Sequence, residues 1–172
     1  VPSYLHGTLM QGLYTTPAVH VDVTAVVTHT VPVDAYRGAG RPEATYSIER
    51  LIETAAKEIG MDPAEFRKKN FIPAFDGVSQ PGYQTQVALQ YDSGDYEGAL
   101  NKALEVSDYE GLKSQREEAR SKGRLMGIGF STYIEACGIA PSAVVGSLGA
   151  RVGLYDAASI RVHPTGKVTI HS

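Results

Sequence analysis

Val19, Val21, Val23, Ala25 and Val27 alternate with His20, Asp22, Thr24, Val26 and Thr28. A period of two, rich in β-branched residues, predicts a strand. Thr30-Val31-Pro32 ends that pattern. Farther on, Ala44, Ile48, Leu51, Ile52, Ala55, Ala56 and Ile59 recur at helical spacing. This predicts one helix over 42–59, with Ile48, Leu51, Ile52, Ala55 and Ile59 buried. Pro42 suits its first turn and Gly60 its C′ position. Asp62-Pro63-Ala64-Glu65 has the form of a capping box and predicts a short second helix ending near Asn70.

Pro73, Gly77, Pro81 and Gly82 punctuate residues 71–91, which read as an ordered loop with one short strand. Ser93 or Asp95 caps a helix carrying Leu100, Ala103 and Leu104. Ser107-Asp108-Tyr109-Glu110 is a second capping-box form, ahead of a polar helix that runs to Gly123. Leu125–Ala136 reads as a buried strand, 138–150 as a loop of small residues and Arg151–Tyr155 as a strand. Ser159–Val162 and Val168–His171 pair as a hairpin around Pro164-Thr165-Gly166-Lys167. No regular βαβ rhythm runs through these elements, so the expected class is α+β, a mixed sheet with packed helices. Nothing repeats internally, and residues 1–172 read as one segment of a single domain.

Composition narrows the function classes. The net charge is −3, with acidic and basic residues mixed, so no electrostatic footprint for nucleic acid or an anionic membrane exists. No apolar run is long enough to span a bilayer, and no signal-peptide pattern opens the chain. Cys137 is the single cysteine, which excludes an internal disulfide framework or a cysteine-held iron–sulfur cluster. A reducing cytoplasm is the expected compartment. His20 and Asp22 share a strand face, but two ligands without a third make a poor metal site.

The candidate chemistry lies where the period changes. Ala35-Tyr36-Arg37-Gly38-Ala39-Gly40-Arg41-Pro42-Glu43-Ala44 sets two arginines around a Gly-Ala-Gly turn at a helix N-terminus. Backbone amides, guanidinium groups and the helix end then converge, an arrangement that favours an anion or a developing negative charge. Neither the P-loop nor the dinucleotide fingerprint is present. Two readings of Arg37 stand: a structural arginine bonding loop carbonyls, or a charge that orients a substrate. Gly38 and Gly40 either make a tight turn or present amides to a ligand. Arg41 reads as a tether from the helix start to a carboxylate, and Tyr36 as packing or pocket lining.

The loop, followed by Glu49-Arg50, Gly60-Met61-Asp62-Pro63, Arg67-Lys68-Lys69-Asn70, Tyr91-Asp92-Ser93-Gly94-Asp95-Tyr96 and Gly127-Ile128-Gly129, resembles the molybdenum-binding large subunit of the xanthine oxidase family. The resemblance is strongest to its bacterial carbon monoxide dehydrogenase large-chain and aldehyde oxidase members. It implies a molybdopterin cofactor, in cytosine dinucleotide form, with FAD and [2Fe-2S] clusters on flavoprotein and iron–sulfur partner subunits. It also implies that Arg37 lies beside the metal centre, with Gly38, Ala39 and Gly40 toward the cofactor. Tyr133, Ile134 and Glu135 become candidates for the substrate channel, with Tyr36; a salt-bridged or solvent-facing Glu135 is the competing reading.

One departure is informative. Family members that oxidise carbon monoxide carry a copper-holding cysteine directly after the loop arginine, where this chain has Gly38. Copper(I) needs a soft thiolate, so hydroxylation of an aldehyde or nitrogen heterocycle is the expected chemistry. The family's upstream glycine-rich motif, its His-Gly-Gln-Gly-type motif and its late Gly-Glu base are not in these residues. The expectation is therefore an internal piece of a larger subunit, needing the remainder of that subunit. Alone it should hold no cofactor and no metal and should turn nothing over. The competing class is a non-catalytic structural or anion-binding module.

Overall fold

In the computed structural model, residues 2–32, 34–135, 142, 146 and 157–171 are described. They are α+β, and they divide into two compact units, 1–135 and 136–172. The described residues of the first unit carry five helices: α1 (Pro2–Thr8), α2 (Arg41–Glu58), α3 (Pro63–Asn70), α4 (Tyr96–Val106) and α5 (Tyr109–Ser121). Between α3 and α4, β1 (Tyr83–Gln84) and β2 (Gln90–Tyr91) pair antiparallel. The second unit contains β3 (Ser159–Val162) and β4 (Val168–His171), also antiparallel. Among the described residues these strands form two two-stranded sheets.

Local chemistry explains the helix ends. Asp62 caps α3 by accepting from the Ala64 and Glu65 amides at 2.8 and 3.3 Å. Asp95 caps α4 through the Gly98 amide. For α5 the cap is Asp108, accepting from the Gly111 amide, and not Ser107 one residue earlier. Asp108 does this at φ 50°, a backbone region that aspartate tolerates better than most residues. Gly60 takes φ 68° just beyond α2, as its C′ role requires. In the hairpin, His163 and Lys167 close a three-residue loop in which Gly166 adopts φ 81°.

Two expected strands are corrected. Residues 19–28 pair with no strand among the described residues, and Val27 is 98% exposed. Alternation supplies a foldable face, but a ladder needs a neighbour to accept its hydrogen bonds. Leu125–Glu135 is likewise unpaired, and Leu125 is fully exposed. It is nevertheless extended, and its period of two is used: Met126, Ile128, Phe130, Thr132 and Ile134 are half-buried, while their neighbours face outward. The calls on 138–150 and Arg151–Tyr155 fall outside the described residues, apart from Ser142 and Gly146.

The face of α2 is also rotated from expectation. Ala44, Glu49 and Ala56 are buried, Ile48, Ile52 and Ala55 half-buried, and Leu51 and Ile59 exposed. The buried stripe centres on a carboxylate because Glu49 has an ionic partner in the core. That core joins Leu13, Tyr14, Ala64, Phe71, Leu100 and Tyr109, with Ile48, Ile52, Phe130 and Ile134 against it. Tyr14 stacks on Phe71 at 5.5 Å, and Tyr109 meets Phe130 edge to face at 5.2 Å. A second cluster, Leu9, Ala44, Ile72 and Tyr91, draws in Phe75, Tyr83 and again Ile134.

Candidate functional site

The arginine loop is built from three successive left-handed residues. Gly38, Ala39 and Gly40 have φ 96°, 48° and 99°. Ala39 and Arg41 amides donate to the Tyr36 and Gly38 carbonyls at 2.7 and 3.1 Å. A Cβ on Gly40 would stand 2.0 Å from the Pro2 carbonyl oxygen, so glycine is what lets the loop rest on α1. A Cβ on Gly38 would stand 2.6 Å from the Pro42 ring. The chain leaves this turn directly into α2, whose first turn carries Arg41 and Pro42.

Beside the loop lies an open cleft of about 400 Å³. Its walls are Arg37 and Gly38 from the loop, one face of α2 and one stretch of the extended segment 131–135. Five sequence-derived candidates therefore meet in one place: Arg37, Gly38, Tyr133, Ile134 and Glu135. Tyr36, Ala39 and Gly40 do not line the cleft. Tyr36 projects into solvent, and Gly40 is buried beneath the loop.

The Arg37 side chain makes no hydrogen bond or ion pair among the described residues, so it bonds no loop carbonyl there. Arg41 differs. Its Nη1 donates to Glu135 Oε1 at 2.6 Å, joining positions 94 apart in sequence. The tether reading of Arg41 and the salt-bridged reading of Glu135 thus describe the same contact.

Sequence reasoning missed Thr45, Tyr46 and Ser131 on the cleft wall. The signal was present: 41, 42, 45 and 46 share a helix face, and 131, 133 and 135 share one side of an extended chain.

It also missed the ionic cluster behind the wall. Arg67 is 0% exposed, and its Nε and Nη2 donate to Glu49 Oε2 at 3.1 and 3.0 Å. Its Nη1 donates to Glu53 at 3.2 Å and to the Pro63 carbonyl at 3.0 Å. Its guanidinium lies 5.2 Å from the Phe130 ring centre. Glu49 also accepts from the Tyr14 hydroxyl at 2.5 Å and from the Thr132 amide and hydroxyl, both at 2.9 Å. Burial and then the bond to Glu49 push the Tyr14 hydroxyl well above its usual range, so it stays protonated and donates. Thr132 sits between Ser131 and Tyr133, so this cluster fixes the wall from inside.

Among the described residues no group of histidine, cysteine and carboxylate side chains could hold a metal ion. What the cleft offers is cationic: an uncommitted guanidinium at its rim, and a Gly38 amide that donates none of the turn's hydrogen bonds. That donor set fits an anionic or electron-rich group of a bound cofactor or substrate.

The comparisons with known proteins bear on the family and the fold. Residues 1–71 and 102–172 each match the molybdopterin cofactor-binding domain. The carbon monoxide dehydrogenase large chain of Hydrogenophaga pseudoflava is 40% identical over 163 residues, 92% of this chain and 20% of that protein. The 6-hydroxypseudooxynicotine dehydrogenase complex subunit gamma of Paenarthrobacter nicotinovorans is 31% identical over 160 residues, 92% of this chain and 18% of that one. Quinoline 2-oxidoreductase from Pseudomonas putida 86 superposes with a TM-score of 0.80 at 30% identity, over 99% of this chain and 21% of that structure. The fold and loop define a molybdopterin-binding segment. The chain belongs to the molybdenum-binding large subunits of the xanthine oxidase family, and it spans about a fifth of the length of the relatives it matches.

Proposed function

We propose that the chain forms part of the substrate side of a molybdenum hydroxylase that oxidises an aldehyde or nitrogen heterocycle. The observation that carries this reading is Arg37, a guanidinium on the cleft with no partner among the described residues. A structural arginine would spend its donors on the loop. Arg37 keeps them for a ligand, where a forked cation orients an electron-rich group or stabilises developing charge. The bound molybdenum cofactor would supply the redox chemistry; Gly38, which lines the cleft, and the neighbouring Ala39 and Gly40 are the residues proposed to approach it. Tyr133 and Ile134 would wall the substrate channel.

Gly38 argues against copper-dependent oxidation of carbon monoxide. It supplies no thiolate, and its φ of 96° with a Cβ position 2.6 Å from Pro42 disfavours any side chain there. The name of the quinoline-oxidising neighbour supports a heterocycle, and the name of the Hydrogenophaga relative supports the alternative. The cytosine dinucleotide form, FAD and [2Fe-2S] partner subunits and a cytoplasmic location belong to the same proposal. Among the described residues no helix is long and apolar enough to cross a membrane.

The test is the full-length enzyme assayed with quinoline, an aldehyde and carbon monoxide beside one another. Turnover of either of the first two is expected. Arg37→Met should retain molybdenum while lowering kcat by about 10²–10³, as for loss of one well-placed transition-state donor. Rapid copper-dependent oxidation of carbon monoxide by the wild type would overturn the reading of Gly38. Normal turnover by folded Arg37→Met would overturn that of Arg37.

A further inference from the structure

We propose that Arg41 and Glu135 form a strap across the cleft that positions the Arg37 loop against the Tyr133–Ile134 wall and so sets the affinity for substrate. The inference rests on the hydroxylase reading above and adds to it a positioning pair. Both residues line the cleft. Arg41 opens α2 immediately after the left-handed turn, and Glu135 belongs to the extended segment. Their 2.6 Å ion pair therefore ties the two walls directly.

The two ends are unequally anchored. The Arg41 side chain is 13% exposed, and its buried Nε finds no hydrogen-bond partner among the described residues. A mostly desolvated guanidinium with an unused donor depends strongly on its carboxylate. The loop it holds is conformationally costly, since Ala39 occupies φ 48° without glycine's freedom. On the far wall, Thr132 is fixed to Glu49 from inside, and Ile134 packs into both core clusters. The wall is thus rigid through Ile134, and the strap transmits that rigidity to the loop. A pair that shapes the cleft in ground and transition states alike should act on KM more than on kcat.

The experiment uses the full-length holoenzyme and its Glu135→Gln, Arg41→Gln and double variants, with quinoline as probe. Hydrogen exchange of amides 36–41 and 131–135 should rise at least fivefold in each single variant, with α4 and α5 unchanged. KM should rise about tenfold with kcat within twofold and molybdenum content unchanged. The double variant should lose clearly less than the sum of the two single variants, because both substitutions break the shared Arg41–Glu135 contact. Additive effects, or unchanged exchange at 36–41 in Glu135→Gln, would overturn the strap. If the wild type oxidises neither quinoline nor an aldehyde, the hydroxylase reading fails, and the exchange cycle still decides the strap.

Discussion

Replacing Arg67 by methionine keeps the stem of the side chain and removes its charge. Arg67 is fully enclosed, and Glu49, its partner, is 5% exposed. Removing one member of such a pair costs about 3–5 kcal/mol, because the other charge stays buried. Three donors remain on Glu49: the Tyr14 hydroxyl and the Thr132 amide and hydroxyl. They hold the cost toward the lower end, about 3 kcal/mol, and the lost guanidinium–Phe130 contact adds to it. Three kcal/mol is about two orders of magnitude in an opening equilibrium. The assay is native-state hydrogen exchange of α2 and α3 amides in the full-length subunit, since these helices share the pair. Adding Glu49→Gln should recover about 1 kcal/mol, because the stranded charge is gone and the glutamine oxygen still accepts from the Tyr14 and Thr132 hydroxyls, with only the Thr132 amide losing its acceptor. Protection changed by less than threefold in Arg67→Met, or further loss in the double variant, would refute the argument that buried charge pairing holds this region.

Two more outcomes follow from the helix caps and the arginine turn. Gly40→Ala should cost at least about 2 kcal/mol, from φ 99° and a Cβ 2.0 Å from the Pro2 carbonyl, while Ala39→Gly is tolerated within about 1 kcal/mol; thermal unfolding compares them. Asp62→Ala should cost about 0.5–2 kcal/mol by loss of the α3 cap, in a pH-dependent way. Burial alone would raise the Asp62 carboxyl, but bonds from the Ala64 amide, the Tyr109 hydroxyl and the Glu65 amide, with the Lys113 charge, bring it below its usual value. The wild-type advantage is therefore present above the ordinary carboxylate range and is lost as pH falls through the folded-state value, which exchange of α3 amides against pH will show.

What the sequence determined by itself was local. Pro63 after Asp62, Gly60 and the hairpin loop at Pro164–Lys167 place element ends through bonds that close within a few residues, while the choice between Ser93 and Asp95 at the start of α4 was settled by the structure. The identity of the arginine loop was legible for the same reason: Gly38 and Gly40 are needed by the turn itself. Tertiary structure decided what these local pieces face. Val19–Val27 has strand alternation without a paired neighbour, and 125–135 keeps its period as an unpaired extended wall. Hydropathy put Leu51 in the core and gave no sign that Glu49 is buried, because a single sequence does not show that Arg67 will stand opposite it at 3.0 Å. The Arg41–Glu135 contact is of the same kind. A tether was foreseeable from the helix start, but its carboxylate lies 94 positions away, and only the folded chain brings the two walls of the cleft together.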